Sequence, residues 1–181
     1  MVNQFSKKAV FLDRDGVLIK TNVINNKPYA ITSYKDLCFI DGVEKGLHKL
    51  KSFNFLLIVV TNQPDVFTKK TPIHEMNKIH DDIKLKLPID DIFVCIETES
   101  KNSTHYKPKP GMLIDASKKF NIDLKKSFII GDRWRDIGAG NNAGCKTVFI
   151  DYSYKEKLFI KPLYKVSSFL EAVNVICDES N

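Results

Sequence analysis

No apolar run in this chain approaches the ~20 residues needed to cross a bilayer; the longest strong one, Phe55 to Val60, is the size of a strand. No membrane partner is therefore expected. The chain also lacks any Cys-x-x-Cys pair. Its cysteines, Cys38, Cys95, Cys145 and Cys177, are scattered and read as reduced thiols, mostly in the core of a cytoplasmic protein. The opening Met-Val-Asn-Gln-Phe-Ser-Lys-Lys has no signal-peptide layout, which agrees with that placement. Repeats, low-complexity tracts and inter-domain linkers are missing too, so one domain over residues 1–181 is expected.

Charge is not concentrated either. The 28 Lys and Arg outnumber the 22 Asp and Glu, giving a net charge of +6. Their dispersal speaks against a nucleic-acid tract, and Lys69-Lys70 is too short to be one. No aromatic and basic platform for stacked bases is evident, so nucleic acid is not the expected partner. The excess favours anionic partners in general, phosphorylated metabolites and nucleic acid alike, although a solvated lysine-rich surface accounts for most of it.

What is present suffices for a core: 43% of the residues are hydrophobic, an ordinary share for a globular domain. Apolar runs at Ala9–Leu12, Phe55–Val60, Ile92–Ile96, Ser127–Gly131 and Thr147–Ile150 read as strands, with a last short strand near Tyr164. Helical patterns alternate with them. One opens at Asp41-Gly42-Val43-Glu44, which has capping-box spacing, and carries Val43, Leu47 and Leu50 on one face. The next starts at Thr71-Pro72, with Thr71 as cap and Pro72 in the first turn, and an apolar stripe of Ile73, Met76, Ile79 or His80, Ile83 and Leu87. A third follows Lys107-Pro108-Lys109-Pro110-Gly111 with Leu113, Ala116 and Phe120 inward; a fourth runs from Trp134 to Asn142; Ser168 with Glu171 caps the last. Residues 20–40 are polar and irregular, a loop or flap over the strand ends. The alternation predicts an α/β, Rossmann-like three-layer domain with a mostly parallel sheet and a cap made only of loops.

The first strand ends abruptly in Asp13 and Asp15, then Gly16. Paired acids at a buried strand end repel and are costly to desolvate. Two readings stand at this point: a Mg²⁺ site with a carboxylate aimed at phosphorus, or a solvated acidic turn. Position in the fold favours the first. Asp13, Thr61, Lys107 and Asp132 each follow a predicted strand, and ligands of open parallel sheets bind at that edge. A phosphate monoester needs a nucleophile, for which Asp13 is placed, and an acid and base, for which Asp15 is placed. Asp132 would complete a Mg²⁺ site with Asp13 and a main-chain carbonyl at Asp15. Thr61 and the chain after it can donate to phosphoryl oxygens, and Lys107 supplies positive charge.

Phe-Leu-Asp-Arg-Asp-Gly-Val at 11–17, Val-Val-Thr-Asn-Gln at 59–63, Lys-Pro-Lys-Pro-Gly-Met at 107–112 and Gly-Asp-Arg-Trp-Arg-Asp at 131–136 resemble the four motifs of the haloacid-dehalogenase-like phosphatases. They are most similar to the branch holding the D,D-heptose 1,7-bisphosphate and histidinol-phosphate phosphatases. The resemblance implies that Asp13 is the nucleophile and Asp15 the acid and base. It implies that Thr61 and Asn62 bind phosphate, Lys107 steadies it, Asp132 holds Mg²⁺ and Asp136 supports.

Three departures shape the remaining expectations. The branch often carries structural zinc; here Cys95 is followed by Glu97 rather than His, and Ser103 and His105 stand where cysteines would be. With two ligands left of four, structural zinc is expected to be absent. Tyr106 replaces an arginine before Lys107, and Pro64-Asp65-Val66 replaces Ser-Gly-Ile, with Thr68 near a further missing arginine. A second phosphate would then fall to Lys69, Lys70, Lys109 or Arg133. The substrate expected is a small sugar phosphate, a heptose 1,7-bisphosphate first and histidinol phosphate second, with a polynucleotide 3′-phosphate or phosphate binding without turnover as more distant readings. A monomer is expected. His48, His74, His80 and His105 share no ligand spacing and read as surface or partly buried side chains; Trp134 could line the pocket mouth or pack in the core.

Overall fold

The computed structural model describes residues 6–100 and 102–180; the first five, on which the reading of the amino terminus partly rests, lie outside them. Strand β1 (Lys8–Leu12) runs through the middle of a six-stranded sheet. On one side lie β4 (Phe55–Asn62) and β5 (Asp91–Cys95). On the other lie β6 (Phe128–Gly131), β7 (Lys146–Ile150) and β8 (Tyr164–Val166). The order is β5-β4-β1-β6-β7-β8, and every neighbouring pair is parallel. The chain moves outward from β1 to β5, then returns to lay β6 on the other flank of β1. The gap between β1 and β6 is thus the switch point of the sheet, where such folds open a crevice.

Alternation along the strands builds two cores. Val10 and Leu12 of β1, with Leu57 and Val59 of β4, face helices α1 (Val43–Ser52), α3 (Ile73–Lys86) and α6 (Phe169–Asp178). Ala9 and Phe11, with Ile58 and Val60, face α4 (Gly111–Phe120) and α5 (Trp134–Ala143). A strand buried on both faces has no polar side to show, which is why its sequence reads as a continuous apolar run rather than an alternating one. The expected three-layer α/β architecture is what these residues form, and the sheet is parallel throughout.

The differences are local. The flap is not loop alone: β2 (Asn22–Ile24) and β3 (Lys27–Tyr29) make an antiparallel hairpin. Asn25 and Asn26 turn it at φ of 51° and 60°, a left-handed pair that asparagine tolerates. A single turn, α2 (Pro64–Phe67), follows β4. Helix α1 is capped not by Asp41 but by Gly42, which takes φ of 81° and makes no side-chain cap bond. A Cβ there would sit 2.7 Å from Leu170 of α6, so the glycine serves close helix contact as well as the turn. Helix α3 is capped by Pro72 rather than Thr71, whose buried hydroxyl has no hydrogen-bond partner among the described residues. Ile73 is exposed, so the inward stripe of α3 starts at Met76 and includes both Ile79 and His80. Ser168 caps α6 by accepting from Glu171 N, as the spacing predicts.

Candidate active site

Asp13 leaves β1 while its main-chain N–H still pairs with Ile130 O of β6 at 3.0 Å. Its carboxylate Oδ1 accepts from Arg14 N at 2.8 Å. The chain then turns at Gly16, with φ of 83°, and a Cβ at this position would lie 2.0 Å from Asp132 Oδ2. Gly16 therefore lets the loop after β1 close on the residue that follows β6. Asp13 and Asp132 meet because their strands are neighbours, not because they are near in sequence.

Lys107 ties the centre together. Its ammonium donates to Asp13 Oδ1 at 2.8 Å, to Asp136 Oδ1 at 2.5 Å and to Val60 O at 2.9 Å, using all three of its protons. Burial alone would depress its pKa, but Asp13 and Asp136 outweigh burial and raise it above the ordinary lysine value. Asn62 fixes the main chain at the same point: Lys107 N donates to Asn62 Oδ1 at 3.0 Å, and Asn62 Nδ2 donates to Lys107 O at 3.2 Å. The Asn62 amide, expected on phosphate, is thus engaged by the main chain of Lys107. Asp136 caps α5 from within by accepting from Arg133 N at 3.0 Å.

Oxygens of Asp13, Asp132 and Asp136 lie within 4.8 Å of one another, so three buried carboxylates face one ammonium. Burial first, and then Asp136, push the Asp13 carboxyl up to about 7 despite Lys107. Burial, and then Asp13, raise Asp132 well above the carboxylate range. Asp132 is 2% exposed, and among the described residues neither of its carboxylate oxygens has a hydrogen-bond partner. Those orphaned oxygens, beside Asp13, suit a hard divalent cation such as Mg²⁺. The Asp15 carboxylate expected nearby is not in this group; any part it takes in metal binding falls to its main chain, as the sequence reading had it.

The sign of the pH effect follows. Between about pH 4 and 7 the folded protein holds a proton on Asp13 that the unfolded chain has lost. That contribution to stability is complete at acid pH and is gone once pH has passed through about 7. A divalent cation such as Mg²⁺ would bind the deprotonated form. It is expected to raise the melting temperature by about 5 °C or more at pH 8 and by clearly less at pH 5. Equal shifts in a thermal scan at the two pH values would contradict this arrangement of charges.

The cleft above the three acids has a volume of about 270 Å³. Asp15, Thr61 and Lys107 line it, with Tyr29 of the hairpin, Asp65 of α2, Tyr106, Arg133 and Arg135 at its walls. Asp15 is held by Arg14, at 2.9 Å from Nε and 3.1 Å from Nη2, and by Gln63 Nε2 at 2.8 Å. Gln63 also donates to Thr61 Oγ1 at 2.8 Å. Gln63 was missed as a site residue, although it stands in the Thr-Asn-Gln run that the reading singled out.

Lys69, Lys70 and Lys109 do not line the cleft; the cations at its rim are Arg133 and Arg135. Arg133 forks onto Glu156 at 2.5 and 2.6 Å, and Arg135 donates to Glu99 at 2.7 Å. Trp134 does neither thing expected of it: it packs edge-on against Phe159, with ring centroids 5.3 Å apart, beside the adjoining hollow. Cys95 is buried in the α4 core, while the His105 ring lies 2.7 Å from Asp115 and Ser103 Oγ accepts from Tyr106 N.

The model of the haloacid dehalogenase-like hydrolase family matches residues 14–150. The chain belongs to this family. Among curated relatives, the D-glycero-beta-D-manno-heptose-1,7-bisphosphate 7-phosphatase of Pasteurella multocida is 35% identical over 80% of this chain and 81% of its own length. The corresponding alpha-anomer 7-phosphatase of Campylobacter jejuni is 31% identical over 90% of this chain and 94% of its own length. The histidine biosynthesis bifunctional protein HisB of Campylobacter jejuni is 34% identical over 83% of this chain, but the match spans only 44% of HisB. The solved D,D-heptose 1.7-bisphosphate phosphatase from B. bronchiseptica, complexed with magnesium and phosphate, superposes with a TM-score of 0.81. It covers 95% of this chain and 99% of its own at 21% identity, a likeness of fold. Among the described residues, no helix of this family member is long and apolar enough to cross a membrane.

Proposed function

We propose that the protein is a Mg²⁺-dependent phosphomonoesterase whose substrate is a small sugar phosphate, a heptose 1,7-bisphosphate first, with one domain over residues 1–181 carrying the whole site. The observation that carries this reading is the meeting of Asp13, held by Lys107, with the unpartnered carboxylate of Asp132 under a cleft that Asp15 also lines. The relatives of similar length are named heptose bisphosphate phosphatases, which supports the choice of substrate.

The chemistry follows from what each residue holds. Both hydrogen bonds that Asp13 receives from described residues fall on Oδ1, leaving Oδ2 free to attack phosphorus. That attack forms an aspartyl phosphate and expels the alcohol. Asp15 gives a proton to the departing oxygen and takes one back from the water that cleaves the aspartyl phosphate. Lys107 has no proton to spare for substrate, so it orients the nucleophile and lends charge. Thr61 Oγ1 accepts from Gln63, which leaves its own hydroxyl proton for a phosphoryl oxygen. Bound at Asp13 and Asp132, Mg²⁺ would neutralise the charge of the transferring group.

The substrate order is testable with purified protein and Mg²⁺. The kcat/KM for the heptose 1,7-bisphosphate, cleaved at one end, is expected to exceed that for histidinol phosphate. Single-stranded DNA bearing a 3′-phosphate should be poorest, for want of stacking partners at the cleft. A second phosphate at the rim would have to draw Arg133 or Arg135 away from Glu156 and Glu99, to which the two guanidinium groups are bonded. A clear preference for the DNA would overturn the sugar-phosphate reading.

A further inference from the structure

Among the described residues, Arg14 is the largest side chain with no exposure at all. A guanidinium stays charged under any ordinary condition, so a buried one must find acceptors for its protons. Two of its nitrogens form a fork on Asp15, Nε to Oδ2 and Nη2 to Oδ1. The third, Nη1, lies 3.2 Å from Nε2 of His80, which reaches in from the inner face of α3. Burial, and then the charge of Arg14, push the His80 pKa down to about 4. The ring is therefore neutral, with Nε2 as the acceptor and its proton on Nδ1.

The chemical character of that acceptor matters. A carboxylate at position 80 would compete with Asp15 for the guanidinium. A neutral nitrogen satisfies Nη1 and leaves the full positive charge on Asp15. The fork then fixes the plane of the Asp15 carboxylate. Oδ2 carries two hydrogen bonds, from Arg14 and Gln63, whereas Oδ1 carries one. Oδ1 is thus the oxygen with room for the proton that passes to the leaving alcohol as the phosphorus–oxygen bond breaks.

We propose that His80 is a positioning residue for the acid–base chemistry of Asp15, acting through Arg14 and not through the substrate. This rests on the phosphatase reading of the site. It assigns to α3, which contributes nothing to the cleft wall, a place in the reaction.

Leaving groups provide the test. An alkyl alcohol needs a proton to depart, whereas p-nitrophenolate does not. The kcat/KM reports only steps up to expulsion of the leaving group, so the later attack by water does not blur it. His80→Leu is expected to lower kcat/KM for the heptose 1,7-bisphosphate about 10-fold or more, a part of the ~10²–10⁴-fold that a general acid supplies. For p-nitrophenyl phosphate the loss should stay under about threefold. His80→Gln keeps a neutral acceptor and should stay within about threefold of wild type on both esters, while His80→Glu should behave like the leucine variant. The Gln and Glu variants are nearly the same size, so this pair decides the matter if the leucine variant does not fold. Equal losses on both esters, no loss at all, or a Glu variant as active as Gln would overturn the proposal. Wild-type protein inert towards both esters would instead overturn the phosphatase reading itself.

Discussion

Asp13→Asn is expected to remove turnover, by on the order of 10⁴–10⁶-fold, because no nucleophile remains to form the aspartyl phosphate. The fold should not suffer. Asparagine keeps an oxygen to accept from Lys107 Nζ and Arg14 N, and it removes one of the three carboxylates crowded within 4.8 Å. In the absence of metal at pH 8 the variant should therefore melt no lower than wild type, since it no longer bears the cost of a charge that burial resists up to about pH 7. A steady-state phosphatase assay and a thermal scan on one preparation read both effects. Full activity in this variant would falsify the covalent mechanism.

Lys107→Met should do the opposite to the fold. Among the described residues it takes away the only side-chain cation bonded to Asp13 and Asp136 and leaves two buried carboxylates facing each other. Breaking a buried ion pair from one side costs about 3–5 kcal/mol, and that figure should appear in urea unfolding at pH 8. At pH 5 the cost should shrink markedly, because the raised Asp13 carboxyl takes up a proton in the folded state and no longer needs the lysine. Activity should fall with it, since the nucleophile loses its orientation. The same destabilisation at both pH values would mean that the lost contact is packing and not charge.

How much of this was legible in the sequence depended on what each stretch had to say locally. The strands that carry Asp13, Thr61 and Asp132 announce themselves because they are buried on both faces and read as short apolar blocks. Their carboxyl ends then follow from topology alone, which is why the residues named in advance do come together at one edge. The hairpin over the site was missed because its strands are three residues long and exposed except at Pro28, so no apolar pattern marks them. The Asn25-Asn26 pair was the signal available. The caps of α1 and α3 were misplaced because capping rules weigh side chains, while Gly42 answers to the approach of Leu170 and Thr71 is pulled into the interior. Lys69, Lys70 and Lys109 fall outside the cleft and the Asn62 side chain pairs with the main chain of Lys107, because motif position tells which residues are near the site, while geometry tells which partner each takes.

The place of β6 beside β1 has a consequence for the order of events during folding. Asp13 is made early, yet its partners arrive from far along the chain: Lys107 lies 94 residues on, and Asp132 follows the strand that must return past β4 and β5 to reach the central position. Until that strand docks, the loop after β1 holds two acids without Asp132 beside them, and Gly16 has nothing to close upon. Contacts so distant in sequence are slow to form, because the chain gives up its freedom before they reward it. A nascent chain that has emerged only as far as β5 would carry Asp13 and Thr61 but neither Lys107 nor Asp132. Any metal affinity that needs Asp13 and Asp132 together must wait until the sheet's second wing is laid down.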